Sequence, residues 1–246
     1  MVKNILQNPG VTTGKENSEM PEISRVTRTH RQARASYDRL SSWYDLLEGG
    51  WETPPRCLGL DRLQVRPGER VLEMGCGTGC SLLELSYLVQ PVGLDLSSRM
   101  LAEAGSRLQA ASRPARLVQG DVLSLPFPSH HFDAAFMAFT LELVDTPEIA
   151  TVLGELRRVL QPGGRLGVVA LSRYGGIELM IRLYEWAHAR FPAVVDCRPI
   201  CAKGALIEAG FSIMHAEVLS LTGLGVEVVV GRVAGWVDSG VASSER

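Results

Sequence analysis

Three glycines on alternate positions, Gly75, Gly77 and Gly79, follow an apolar run that ends in an acid, Val71-Leu72-Glu73-Met74. Behind them Ser81-Leu82-Leu83-Glu84-Leu85 is patterned as a helix. A strand that ends in so tight a turn offers bare backbone for a ligand to lie against. Glycine suits the turn because it has no Cβ and tolerates positive φ. Glu73, at the strand end, offers an acceptor to a cationic group. Asp95 stands twenty positions beyond Gly75, after a second apolar run, Val92-Gly93-Leu94. An acid so placed can take both hydroxyls of a ribose. Loop and acid together imply a nucleoside cofactor.

Two cofactor classes use this geometry. Dinucleotide enzymes write G-x-G-x-x-G, whose third glycine lets the helix close on the strand while the helix N-terminus faces a pyrophosphate. Here Cys80 holds that third position, and the spacing is G-x-G-x-G. An acid just before the loop would repel a pyrophosphate. It suits an ammonium or a sulfonium, and S-adenosylmethionine (SAM) carries both and no phosphate. SAM explains the pattern better than NAD(P).

Glu73-Met74-Gly75-Cys76-Gly77-Thr78-Gly79 resembles motif I of the class I SAM-dependent methyltransferases. Gly93-Leu94-Asp95-Leu96-Ser97, followed by Met100-Leu101, resembles their motif II. Gln119-Gly120-Asp121-Val122, with Leu125-Pro126-Phe127-Pro128 through Phe132-Asp133, is similar to motif III and the approach to strand four. Arg158 to Leu166, with Pro162-Gly163-Gly164, resembles the turn before strand five. Order and spacing are most similar to the ubiquinone/menaquinone-biosynthesis C-methyltransferase-like group (methyltransferase type 11), from about Tyr37 to about Ala170. Each motif is weak alone; four in register are specific.

At 246 residues the chain is long enough for one large α/β domain with a small cap. A hydrophobic content of 46% and a mean hydropathy of +0.08 belong to a globular protein. No apolar stretch approaches the roughly 20 residues that span a bilayer, and Met1 to Glu22 lacks the apolar core of a secretory signal. The expectation is a soluble, cytoplasmic enzyme. A net charge of −2 carries no footprint for nucleic acid. Arg25, Arg28, Arg31 and Arg34 could form a basic stripe on an N-terminal helix, either a solvated face or a peripheral contact with anionic lipid. Five cysteines (Cys57, Cys76, Cys80, Cys197, Cys201) lack the C-x2-C spacing of structural zinc and read as free thiols of a reducing compartment, with no metal.

The chain divides into a disordered start (1–20), an N-terminal helical cap or lid (21–68), a methyltransferase domain (69–234) with an insertion at 175–198, and a tail (235–246). Paired prolines at Pro54 and Pro55 are read as excluding helix before a short one over 57–63. Strands are expected at 69–74, 91–95, 115–119, 132–138, 165–171, 212–220 and 225–233, and helices at 79–88, 98–110, 148–160, 203–209 and, as the insertion, 175–191. The alternation predicts a Rossmann-like, mainly parallel seven-stranded sheet covered by helices on both faces, and the close spacing of the last two strands predicts an antiparallel edge hairpin. Such sheets bind cofactors at the carboxyl ends of their strands, where Glu73, Asp95, Asp121 and Ala138 fall.

The resemblance implies that Glu73, Gly75, Cys76, Gly77 and Gly79 line the cofactor, that Asp95 takes the ribose, and that Asp121 and the Val122 backbone address the adenine. Leu96 or Met100 could pack on its face. Asp121 alone would read as turn chemistry. Tyr37 and Tyr44 are candidate lid residues over the cofactor, or else pack the cap on the core. An N-P-P-Y-like clamp, which amino-methylating enzymes place after strand four, is absent from Ala138-Phe139-Thr140-Leu141-Glu142. Phe139 and Thr140 are expected to border the transfer pocket, while Glu142 is either a substrate contact or a helix-start charge. In the insertion, Met180, Tyr184, Trp186 and His188 either wall an apolar substrate pocket or merely pack a helix. His188, with Tyr184 second, is the candidate base should the acceptor need to lose a proton.

The expected function is methyl transfer from SAM, leaving S-adenosylhomocysteine, to a small apolar or lipid-like acceptor: a quinol precursor, a lipid head group or a secondary metabolite. A non-catalytic SAM-binding or assembly protein on the same fold is the alternative.

Overall fold

The computed structural model describes residues 52–177, 180, 182, 186, 190, 198–221 and 223–235. Seven strands form one sheet: β1 (Val71–Met74), β2 (Val92–Asp95), β3 (Arg116–Gln119), β4 (Phe132–Ala138), β5 (Leu160–Ser172), β6 (Ser212–Leu221) and β7 (Leu224–Arg232). Their order is β3-β2-β1-β4-β5-β7-β6. The first five run parallel, and β7 lies antiparallel between β5 and β6. The expected mainly parallel sheet with an antiparallel edge hairpin is what forms.

Strand burial follows position. Every residue of central β1 is buried, and β7 is buried from Gly225 to Gly231, which is why both are mostly apolar, each interrupted by one buried acid, Glu73 and Glu227. Edge strand β6 alternates exposed and half-buried residues along its whole length. On one face Met74, Leu72 and Met137 pack with Ile149, Leu153 and Leu156 of α4 (Thr146–Val159) and with Leu206 of α5 (Ala202–Glu208). On the other, Phe136, Val169 and Val228 pack with Leu63 of α1 (Thr53–Leu63) and Leu85 of α2 (Cys80–Leu85). Helix α3 (Ser98–Ala110) contributes Leu108 to a small cluster with Leu82 and Cys76.

Two element starts differ most from expectation, and α2 ends at Leu85, three residues short of the expected 88. Helix α1 starts at Thr53, four residues early, with its prolines inside the first turn. There the backbone N–H has no helical partner to lose and φ near −65° is already helical, so proline begins a helix it could not continue. Strand β5 starts at Leu160 rather than 165, directly from α4. The Pro162-Gly163-Gly164 turn is drawn into the sheet because Gly163 donates to the Val233 carbonyl (3.1 Å) and Val233 donates to that of Gly164 (2.9 Å). Gly163, at φ +80°, supplies the bend.

Residues 1–51 and 236–246, and with them the expected disordered start, most of the cap, the basic stripe and nearly all of the tail, lie outside the described residues, as does Cys197. Within the insertion, Met180, Arg182, Trp186 and Arg190 are helical.

Candidate cofactor and acceptor site

The strand order reverses between β1 and β4, the switch point at which open α/β sheets bind their ligands. Glu73 and the glycine turn stand beside it on β1, Asp95 at the tip of neighbouring β2, and Ala138-Phe139-Thr140 at the tip of β4. These are the positions that the sequence pattern assigns to the cofactor, and the fold brings them to one end of the sheet.

The three glycines do different work. A Cβ on Gly75 would overlap the Thr140 side chain, and one on Gly79 would sit 2.9 Å from the Ala104 Cβ of α3. Protein therefore fills both spaces, and both glycines serve close packing of the turn. At Gly77, with φ +49°, a Cβ would meet nothing within 4 Å. Gly77 alone of the three turns its bare face to open space, where a ligand can approach.

Asp95 fixes this turn. Its Oδ2 accepts from the Gly77 N–H (2.9 Å) and its Oδ1 from the Ser97 N–H (2.8 Å). Ser97 in turn caps α3, its hydroxyl accepting from Met100 (3.2 Å). The acid is thereby locked in place at the tip of β2, beside the glycine turn.

Glu73 is 3% exposed, and its Oε2 has no hydrogen-bond partner among the described residues. Burial raises its pKa to about 8, opposed by a hydrogen bond from Ser81 and the charge of Arg56 and assisted by the charge of Asp95. An unsatisfied buried carboxyl is costly and calls for a donor or a cation. Burial likewise pushes the Cys76 thiol up, so it stays protonated, while the Cys76 N–H donates to the Leu94 carbonyl (3.1 Å). Cys80, where a dinucleotide site has glycine, carries a sulfur 3.1 Å from the Arg107 guanidinium, which also reaches the Thr78 hydroxyl (3.4 Å). The third-glycine space is thus occupied by a side chain tied to α3.

Asp121 caps its own turn, Oδ1 accepting from Leu123 (3.0 Å), and Val122 packs against the core. Leu96 is half-buried with its carbonyl held by Gln119 (3.0 Å), whereas Met100 is 3% exposed. Phe139 and Thr140 are both buried, Phe139 with φ +50° and its N–H donating to Val169 (2.7 Å). The Thr140 hydroxyl donates to Ala138 (2.9 Å) and lies 3.4 Å from the Gly75 carbonyl. Glu142 is no exposed helix-start charge: it is fully buried, and its Oε1 accepts from the Leu171 N–H of β5 (3.1 Å). Met180 is half-buried beside Gly223, and Trp186 is 58% exposed. Tyr37, Tyr44, Tyr184 and His188 lie outside the described residues. Sequence reasoning missed Ser81, Arg107 and Arg198, for which no motif gives a signal. Spacing does place Arg107 nine residues into the helix behind Asp95, within reach of the glycine turn.

A parallel sheet with its switch at the glycine turn, two acids on adjacent strand tips and a filled third-glycine position define a nucleoside-binding α/β protein of the SAM type. Residues 71–164 match the methyltransferase-domain family. The chain is 33% identical over 226 residues to the ubiquinone/menaquinone biosynthesis C-methyltransferase UbiE of Pseudomonas fluorescens (strain SBW25), covering 89% of this chain and 86% of that one. It is also 33% identical over 173 residues to the protein of that name from Ectopseudomonas mendocina (strain ymp), there covering 68% of this chain and 65% of the relative. Among solved structures, the [4+2]-cyclase SpnF superposes with a TM-score of 0.71 at 21% identity, over 89% of this chain and all (100%) of the other, which is a likeness of fold. The chain belongs to the class I SAM-dependent methyltransferases, in the UbiE-like group.

SAM is the cofactor of this family, and the residues present fit it. The unpartnered Glu73 oxygen matches a cationic methionine end, the fixed Asp95 carboxylate matches a ribose diol, and Gly77 leaves backbone open between them.

Proposed function

We propose that the protein transfers a methyl group from SAM to a small apolar or lipid-like acceptor, of the quinol-precursor type that its relatives' names indicate. The observation that carries this is the buried Glu73 carboxyl beside the glycine turn, with one oxygen unpartnered among the described residues and Asp95 locked on the next strand. SAM, when bound, supplies a sulfonium methyl open to in-line displacement, so the protein need only bind and orient. Glu73 holds the ammonium end, Gly75, Cys76, Gly77 and Gly79 form the wall behind it, and Asp95 takes the ribose. Asp121 and Val122 address the adenine, with Leu96 against its face; Met100 is too deeply buried to add much. Tyr37 and Tyr44 close over the cofactor. Phe139 and Thr140 border the acceptor, with Met180 and Trp186 beyond. His188, or Tyr184 after it, removes a proton where the acceptor must lose one.

The protein acts in the cytoplasm, which agrees with four free cysteines among the described residues. Peripheral contact with anionic membrane fits Arg182, Trp186 and Arg190, each exposed and helical and spaced four apart in sequence. No helix among the described residues is long and apolar enough to cross a membrane.

Incubation of the purified protein with methyl-labelled SAM and a short-chain prenylated naphthohydroquinone tests the activity. Label should enter the quinol with stoichiometric S-adenosylhomocysteine. SAM binding without label transfer to any quinol, lipid head group or phenolic acceptor would favour a non-catalytic role.

A further inference from the structure

Four charged side chains are buried among the described residues: Glu73, Glu142, Arg198 and Glu227. Glu73 belongs to the cofactor turn. The other three converge elsewhere, on the two stretches that flank the carboxyl end of β5. Glu142 accepts from Leu171 (3.1 Å), and the Leu171 carbonyl accepts from Ile200 (2.9 Å), which bridges in parallel to Ser172. Glu227 Oε2 accepts from Ala202 (2.7 Å). Arg198, 1% exposed, donates from Nη1 to the Thr146 hydroxyl (2.9 Å) and from Nη2 to the Val144 carbonyl.

A buried guanidinium is expensive to desolvate. It lies against the first turn of α4, where Asp145 at the cap and Glu148 offset the partial positive charge of the helix end. An apolar side chain of similar volume would often be as stabilising or more so. What the arginine adds is direction: two bonds from one rigid fork to both ends of Val144-Asp145-Thr146. That stretch closes the turn opened by Phe139, whose φ of +50° is unfavourable for a residue with a Cβ. Such a backbone persists only where its surroundings hold it, and strained residues of this kind cluster at functional sites. Here the holding groups are Val169 on the Phe139 amide, Glu142 in the middle of the turn and Arg198 at its far end.

We propose that Arg198 is a positioning residue for the acceptor side of the site: it fixes the 139–146 turn and thereby the backbone of Phe139 and Thr140. The acceptor part of this claim rests on the proposed function; the positioning part does not. Arg198 touches neither reacting atom and is not catalytic.

The test compares the full-length wild type with Arg198→Met, Arg198→Lys and Thr146→Val. Amide hydrogen exchange is followed over 139–146, SAM affinity by calorimetry, and initial rates with a short-chain prenylated naphthohydroquinone. A hydrogen bond to a charged group is worth enough to change a local equilibrium by about tenfold or more. Exchange in 139–146 should therefore quicken about tenfold in Arg198→Met, less in Arg198→Lys and least in Thr146→Val. The acceptor KM should rise in the same order, with kcat and SAM affinity changed by no more than about threefold. Wild-type exchange in both Arg198→Met and Thr146→Val would overturn the proposal, as would SAM affinity falling as far as acceptor affinity. Should Arg198→Met fail to fold, Arg198→Lys and Thr146→Val make the same comparison. A wild type that binds SAM but leaves the quinol unmethylated would count against the proposed acceptor, and the exchange series would then decide for or against Arg198 alone.

Discussion

Glu73 is costly to the cofactor-free protein, and the proposed function makes it useful to the cofactor complex; the two effects can be separated. Its native pKa of about 8 exceeds the ordinary 4.5, so between these values the folded chain holds a proton that the unfolded chain has released. Stability of the cofactor-free protein should therefore fall as pH rises through that window, by on the order of 5 kcal/mol once the carboxylate is fully ionised. Glu73→Gln removes this pH dependence. Denaturant unfolding near pH 9 should find the variant more stable than wild type, although its SAM affinity is weaker by at least about tenfold. Equal unfolding midpoints at that pH would show that Glu73 does not ionise at a cost.

The glycines give a second contrast at the same scale. Gly75→Ala forces a Cβ into Thr140, so it should lower the melting temperature through the packing of the turn. Gly77→Ala meets open space and should cost only about 1 kcal/mol, from its left-handed backbone, yet it should block SAM. Thermal melts with and without SAM distinguish the two. The alternation of the three residues was plain in the sequence. That two of them face protein and one faces open space was not, because Thr140 and Ala104 arrive from distant parts of the chain.

Among elements, the strands were the most legible, since a buried parallel strand must be an apolar run and an edge strand an alternating one. Helix α1 was misjudged at its start because proline forbids a helix interior but favours its first turn, and sequence alone leaves open which of the two it occupies. The early start of β5 was hidden for a different reason: a Pro-Gly-Gly turn joins a sheet only if a partner backbone is present, and Val233 lies some seventy residues away. Helix α3 couples element to site. Ser97→Ala removes its cap and should destabilise the fold by about 1 kcal/mol, with a modest loss of SAM affinity as Asp95 loosens. Asp145→Ala, at the cap of α4, should cost similar stability and leave SAM binding unchanged. Paired unfolding and binding curves for the two variants check this.

Across the whole molecule, the sheet supplies a rigid edge on which the glycine turn, Asp95 and the post-β4 turn are presented together. On the proposal above, the other three charges buried among the described residues, Glu142, Arg198 and Glu227, brace the flank of that edge where an acceptor would lie. Family likeness accounts for the first arrangement, and nothing in the motifs announced the second. Arg198 sits in Asp196-Cys197-Arg198-Pro199, a stretch with neither periodicity nor motif. Its importance appears only once Val144 and Thr146 fold against it.

Calorimetric titration of the wild type and of Glu73→Gln with SAM and, separately, with NAD, in buffers of differing ionisation enthalpy near pH 7, tests the central claim most directly. Glu73 should be mostly protonated before binding and ionised against the cationic ligand after it. Wild type should bind SAM saturably with release of protons, Glu73→Gln should bind it more weakly with little release from that group, and neither should bind NAD. Absence of SAM binding, or tight binding of NAD in its place, would contradict the account.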